Sequence, residues 1–154
     1  MPALPATFPA LRLPALGGGD RDLSRAAQPT LVSLGHAGCA TTRLLLPYLE
    51  RLHRGRRAGT EVVVVLQDTR EDAHDLAHEL RLTAPILLDP EPWPLGAALL
   101  TAVVPLSLLL APGGRIERAW PAFRRGDLEQ AAALLGVPAP FFAPEDEAPA
   151  LRPG

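Results

Sequence analysis

One side chain in this sequence can act as a soft nucleophile: Cys39, the single cysteine among 154 residues. It lies in the stretch TLVSLGHAGCATTRLLLPYLERL, residues 30–52, where a short β-type run gives way to a turn of small residues and then to a helical pattern. That places the thiol at a helix N-terminus, where free backbone N–H groups and the positive end of the helix dipole favour thiolate over thiol. A fall in pKa from about 8.5 to about 7 raises the reactive fraction at neutral pH from roughly 3% to roughly 50%. A buried, inert cysteine is the other reading of a lone Cys. Thr42, at i+3 on the same helical face, either donates a hydrogen bond to the sulfur or is an ordinary first-turn threonine. His36, three residues upstream, is either a base or imidazolium partner for the thiol or a solvated loop histidine. Arg43 either adds positive potential or is an exposed helix arginine.

The elements that must position these groups follow from breaks in pattern. Residues 30–35, bounded by Pro29 and Gly35, read as a strand. Residues 41–54 carry Leu44, Leu45, Tyr48, Leu49 and Leu52 at helical spacing, with Arg43, Glu50, Arg51 and Arg54 mostly opposite and Pro47 inside. The run Val62-Val63-Val64-Val65-Leu66 suits a strand buried on both faces of a parallel sheet. A second helix, capped by Asp68 or Thr69, runs to Leu82; 86–88 is a strand and 93–100 a short helix. Residues 106–110 and 115–120 form a hairpin around Ala111-Pro112-Gly113-Gly114, and 128–135 a last helix ended by Gly136. The order β-α-β-α-β-α-β-β-α predicts a mixed central sheet with helices on both faces. Residues 1–19 read as an arm or edge hairpin, 20–137 as one domain, and 138–154 as a Pro-rich acidic tail, draped over the domain or loose.

Composition sets outer bounds. With 47% apolar and 21% charged residues the chain is ordinary globular material, neither disordered nor fibrous. The net charge of −2 nominates no polyanionic partner, and all 15 basic residues are Arg, which with the absence of Lys and Asn reads as a GC-rich coding bias. No stretch suits a membrane span: residues 95–111 are interrupted by Gly96 and Pro105, and the Pro-rich start lacks the form of a signal peptide, so a cytoplasmic location is expected. A single cysteine excludes an intramolecular disulfide, so redox chemistry needs a second molecule.

Other constellations carry little. His74 and His78 are spaced i, i+4 but lack a third ligand, so no metal is expected. Arg54, Arg56 and Arg57 have no interleaved aromatics, and the glycines at 17–19 lack the strand and helix of a phosphate loop. Trp93 and Trp120 read as core or edge residues. No cofactor and no nucleic acid are expected.

Taken together, a strand ending in a small-residue turn, Cys39, a helix with Pro47 eight residues later, and Val104-Pro105 opening a later strand that leads into PLSLLLAPGGRIERAW resemble the thioredoxin superfamily. The nearer likeness is to its TlpA-type and redoxin (AhpC/TSA-like) branch, over residues 13–136. The resemblance implies a thioredoxin-like α/β fold, a cis Pro105 packed beside Cys39, and substrate bound along the backbone of Val104 and Pro105 with help from Arg43. The departures are specific. The second cysteine of the family motif is replaced by Thr42, giving Cys39-Ala40-Thr41-Thr42. Gly38 stands where an aromatic often precedes the first cysteine, and Ser33 where a buried acid often lies. The peroxiredoxin positions for Thr or Ser and for Pro hold His36 and Val32. The resemblance thus implies a monothiol oxidoreductase acting on a disulfide or peroxide, with Cys39, Thr42 and His36 as its catalytic set and a low-molecular-weight thiol or another thioredoxin as reductant. A catalytically inactive binding or chaperone-like module, or a redox switch through a Cys39–Cys39 homodimer, remain the alternatives.

Overall fold

The computed structural model describes residues 3–154. Three glycines, 17–19, turn the chain between β1 (Leu13–Pro14) and β2 (Asp20–Arg21), an antiparallel hairpin in the arm. Gly18 and Gly19 take φ of 109° and 73° there, a region that a side chain resists. A single 3₁₀ turn at Leu23–Arg25 follows. The rest alternates: β3 (Thr30–Gly35), α1 (Ala40–Gly55), β4 (Glu61–Leu66), α2 (Arg70–Glu79), β5 (Ile86–Leu88), α3 (Pro94–Ala98), β6 (Leu106–Leu110), β7 (Ile116–Pro121), β8 (Phe123–Arg124), α4 (Arg125–Leu134) and β9 (Leu151–Arg152).

Five strands form the central sheet in the order β5-β4-β3-β6-β7. β3 pairs in parallel with β4, and β4 with β5, while β6 runs antiparallel to both β3 and β7. The mixed sheet expected from the element order is therefore present. Its two faces follow the period of two along each strand. Leu31, Val62, Val64, Leu66, Ile86, Leu88 and Leu109 face α1, α2 and α4. Val32, Leu34, Val63, Val65, Leu87, Leu106, Leu108 and Leu110 face the opposite side, against Phe8, Leu13, Leu23, Leu95 and Leu99. Among the described residues the second face has the short α3 as its one α-helix and is closed by the arm and the 3₁₀ turn. Among the described residues no helix is long and apolar enough to cross a membrane.

Two helix bounds differ from the sequence expectation, and the last segment takes the draped of its two expected forms. α2 ends at Glu79 rather than Leu82, because Arg81 takes a left-handed φ of 55° and turns the chain toward Pro85 and β5. α4 starts at Arg125, earlier than the apolar spacing indicated. Within the segment expected to be a tail, Phe141 and Phe142 are core residues packed on Tyr48, with ring centroids 6.3 and 5.2 Å away. Arg51 holds Asp146 through two hydrogen bonds of 2.7 and 3.0 Å, and the Arg125 guanidinium lies over the Phe142 ring at 4.4 Å. The segment is docked by aromatic and cationic contacts that have no periodicity to betray them.

Glu50 also departs from the helical-wheel reading, being 7% exposed. Its carboxylate accepts the Thr83 and Ala84 N–H groups at 2.7 and 3.0 Å, the Thr83 hydroxyl at 2.5 Å and the Arg54 side chain at 2.7 Å. Burial opposes the charge, but these donors outweigh it and hold the carboxyl down at about 2. A depressed carboxylate contributes stability above its unfolded pKa of about 4.3 and loses it as pH falls toward the folded value. Stability attributable to Glu50 therefore declines between about pH 4 and pH 2, and Glu50→Ala, which strands buried N–H groups, costs about 2–4 kcal/mol in urea unfolding at pH 7 and flattens that acid limb.

Candidate functional site

The cysteine ends the loop after β3 and begins α1. Cys39 is the N-cap residue, with φ −94° and ψ 118°, and its Sγ accepts the Thr42 N–H at 3.4 Å. A thiol sulfur here does what a serine or aspartate oxygen does at other helix starts: it takes up an N–H that the helix cannot satisfy itself. On its other side Sγ lies 3.7 Å from the Val104 carbonyl oxygen, to which the protonated thiol donates. The Val104–Pro105 peptide is cis and Pro105 is buried. Cys39 is itself half-buried.

Thr42 is almost fully buried, and its hydroxyl accepts the His36 N–H at 3.4 Å, which leaves its own proton free for the sulfur. Burial pushes the Cys39 thiol up, but the Thr42 hydroxyl and N–H and the Thr41 N–H favour thiolate, the charge of Arg152 adds to them, and the net shift is downward from the ordinary thiol value. Thr42 can sit there because Gly35 ends β3: a Cβ at Gly35 would lie 2.6 Å from Thr42 Cγ2 and 2.7 Å from its hydroxyl oxygen.

The turn between strand and helix is pinned from several directions. The Ala37 N–H donates to Asp68 at 3.0 Å, the Gly38 N–H to His36 Nδ1 at 3.1 Å, and the Cys39 N–H to the His36 carbonyl at 3.1 Å. Arg43 closes the outside, its Nε donating to the Ala37 carbonyl at 2.7 Å and its guanidinium pairing with Glu79 at 2.7 Å.

The structure therefore gathers Cys39, Thr42, Val104 and Pro105 at one point and sets His36 and Arg43 beside it in other roles. His36 spends Nδ1 on the Gly38 N–H and makes no hydrogen bond to the sulfur, so it braces the turn. Arg43 was expected to help bind substrate; in the structure its side chain bonds to the Ala37 carbonyl and to Glu79. The arginine whose charge reaches Cys39 is Arg152, in the segment expected to be a tail. Asp68 was legible only as a helix cap; Thr69 caps α2, and Asp68 holds the cysteine turn, its carboxyl raised by burial against the opposing pull of the Ala37 N–H and of His36. Below the site, where a buried acid would lie, the hydroxyls of Ser33 and Ser107 are 2.9 Å apart and hydrogen-bonded. Neither can remove a proton at neutral pH. Among the described residues no group of His, Cys, Asp and Glu is placed to hold a metal.

No family model matches the chain, and no curated protein matches it. Solved structures do. A thiol:disulfide interchange protein DsbE from Chlorobium tepidum, described as putative, superposes with a TM-score of 0.75 at 20% identity, over 84% of this chain and 93% of that one. The thioredoxin domain of the thiol-disulfide oxidoreductase BVU-2223 from Bacteroides vulgatus gives 0.74 at 22% identity, over 87% and 98%. This chain has the thioredoxin fold. The bacterioferritin comigratory protein of Xanthomonas campestris, studied for alkyl peroxide reduction, gives 0.68 at 18% identity, over 86% and 94%, so the likeness spans both the interchange and the peroxide-reducing members of that fold. Within the thioredoxin fold, this chain keeps a cysteine at the helix start and a cis proline facing it, and carries threonine in place of a second thiol.

Thr42→Val keeps the N–H donor and the shape but removes the hydroxyl. The midpoint of the pH dependence of Cys39 alkylation rises, and the rate at pH 7 falls several-fold, at most by the roughly tenfold that one hydrogen bond to a charged group carries. Gly35→Ala forces Thr42 from its place, destabilises the fold by about 1–3 kcal/mol in urea unfolding, and raises the same midpoint.

Proposed function

We propose that this protein is a monothiol thiol–disulfide oxidoreductase with Cys39 as its nucleophile. The observation that supports this most directly is the sulfur at the α1 N-terminus, taking the Thr42 N–H on one side and facing the Val104 carbonyl of a cis peptide on the other. The thiolate attacks one sulfur of a substrate disulfide; a Cys39–substrate disulfide forms and the second substrate sulfur leaves as thiolate. The thiolates of Cys39 and of the leaving group are equivalent in charge, so this step needs no proton acceptor once Cys39 is ionised. An external thiolate then attacks the mixed disulfide, takes the substrate sulfur into a new disulfide and returns Cys39 as thiolate. A low-molecular-weight thiol or another thioredoxin fits that second role, because the chain has no second cysteine. A cytoplasmic setting, where thiols are kept reduced, suits the cycle.

Thr42 is a catalytic residue in this scheme because its N–H donates to the reacting sulfur and its hydroxyl favours the thiolate, while His36, Asp68 and Arg43 position the turn. A disulfide is favoured over a peroxide as substrate because the peroxiredoxin threonine or serine position holds His36, whose ring is turned to the Gly38 N–H.

Incubation with a disulfide of a small thiol, followed by intact-mass measurement, yields one mixed disulfide per chain in wild type and none in Cys39→Ser. Added reduced thiol then discharges it within seconds to minutes. A thiol that accepts no disulfide at neutral pH assigns the protein instead to the binding modules of this fold.

A further inference from the structure

The surface beside Cys39, between Thr41 and Val104, is covered by the protein's own chain. After Phe142 and Asp146 the backbone runs along β8: Arg125 N–H donates to the Ala150 carbonyl at 3.0 Å, and Arg152 and Leu151 of β9 pair with Phe123 and Arg124 of β8. Pro153 follows, its carbonyl accepting the Thr41 hydroxyl at 2.5 Å, one residue from the helix start that Cys39 caps. Gly154 then lies against Val104. A Cβ on Gly154 would overlap the Val104 carbonyl oxygen and stand 2.7 Å from Val103 Cγ1. Val104 O is the same atom that lies 3.7 Å from Cys39 Sγ.

We propose that residues 151–154 form a displaceable strap that occupies the polypeptide side of the Cys39 groove, so that a peptide disulfide must displace it whereas a small molecule need not. The inference rests on Cys39 being the reacting group, as argued above. The strap has the features of a ligand held in place: an extended course, backbone pairing with the short strand β8, one side-chain hydrogen bond at Thr41, and a glycine where nothing larger fits. It also has the features of something that leaves. All four residues are exposed, Leu151 by 50%, and the pairing of β8 with β9 is two residues long. Behind it, Phe141, Phe142 and the Arg51–Asp146 pair tether the chain so that a released strap stays near the groove.

A groove that is open only part of the time lowers the apparent rate for any reactant that needs it by the open fraction. Two full-length variants loosen the strap without touching the sulfur. Gly154→Val places a side chain against the Val104 carbonyl, and Thr41→Val removes the hydroxyl that holds Pro153 while keeping the β-branched shape; Thr41→Ser retains the hydroxyl. Each is treated in parallel with iodoacetamide, which is small, and with a cysteine peptide activated as its thionitrobenzoate disulfide. In the second reaction Cys39 forms a disulfide with the peptide and thionitrobenzoate leaves as the coloured thiolate. The ratio of peptide rate to iodoacetamide rate rises about tenfold in Gly154→Val and Thr41→Val and stays at the wild-type value in Thr41→Ser. A ratio unchanged in both loosened variants overturns the strap, and an equal rise in Thr41→Ser overturns the role of its hydrogen bond. Because Gly154 is exposed, its substitution leaves the core intact. The iodoacetamide rate alone reports whether Cys39 is activated, so failure of the oxidoreductase reading is separated from failure of the strap.

Discussion

Everything at the candidate site depends on the N–H of Thr42 meeting the sulfur of Cys39 at the first turn of α1, with the Thr42 side chain packed beside it. That meeting requires β3 to end in a residue without a side chain, since any Cβ at Gly35 would occupy the space of the Thr42 side chain. It requires the intervening turn to be fixed, which Asp68, His36 and Arg43 achieve through the Ala37, Gly38 and Cys39 backbone. It also requires α1 to be immobile on the sheet. Leu45, Leu46, Leu49 and Leu52 bury that helix against the central strands, and Glu50 ties it to the loop before β5. Side chains that look like packing or surface charge are thus the means by which a weak acid is held beside hydrogen-bond donors, within the few tenths of an ångström such bonds tolerate.

How much of this was readable in the sequence depended on whether a residue's role was local. The strands at 30–35, 86–88 and 106–110 and the placement of Cys39 before a helix followed from β-branched runs, small-residue turns and helical spacing, and stand in the structure with those bounds. The cis form of Val104–Pro105 came from resemblance and not from any property of the dipeptide. Roles set by distant partners were not readable. Glu50 sits at a polar position of its helix, yet its partners are Thr83 and Ala84, over thirty residues on. Arg43 and Arg152 carry the same charge; only the folded chain turns the first toward Glu79 and brings the second to Cys39. Phe141 and Phe142 lie in a stretch whose prolines and acids resemble a linker, and they reach the core because Tyr48 and Phe123 leave an aromatic surface for them.

The thioredoxin fold accommodates several chemistries, and the differences here narrow them. With threonine three residues after Cys39 and no second cysteine in the sequence, the proposed cycle draws its electrons from another molecule. Ser33 and Ser107 pair beneath the site through their hydroxyls, which cannot take a proton at neutral pH, so the proposed cycle starts from an ionised cysteine. Both departures place the burden on the static electrostatics of the α1 N-terminus, to which Arg152 of the strap contributes. A segment that adds positive charge near the sulfur while covering the polypeptide side of its groove favours the thiolate and limits what can reach it.

The central claim is that the donors at the start of α1 lower the pKa of Cys39, as the proposed chemistry requires, and the most direct measurement is its ionisation. Ultraviolet thiolate absorbance of the native protein, followed against pH with Cys39→Ser as the blank, gives the midpoint without any reagent having to enter the groove. The account predicts a single transition below the ordinary thiol value of about 8.5. A midpoint at or above about 8.5 in the folded protein would contradict it, since burial would then have outweighed the Thr42 donors.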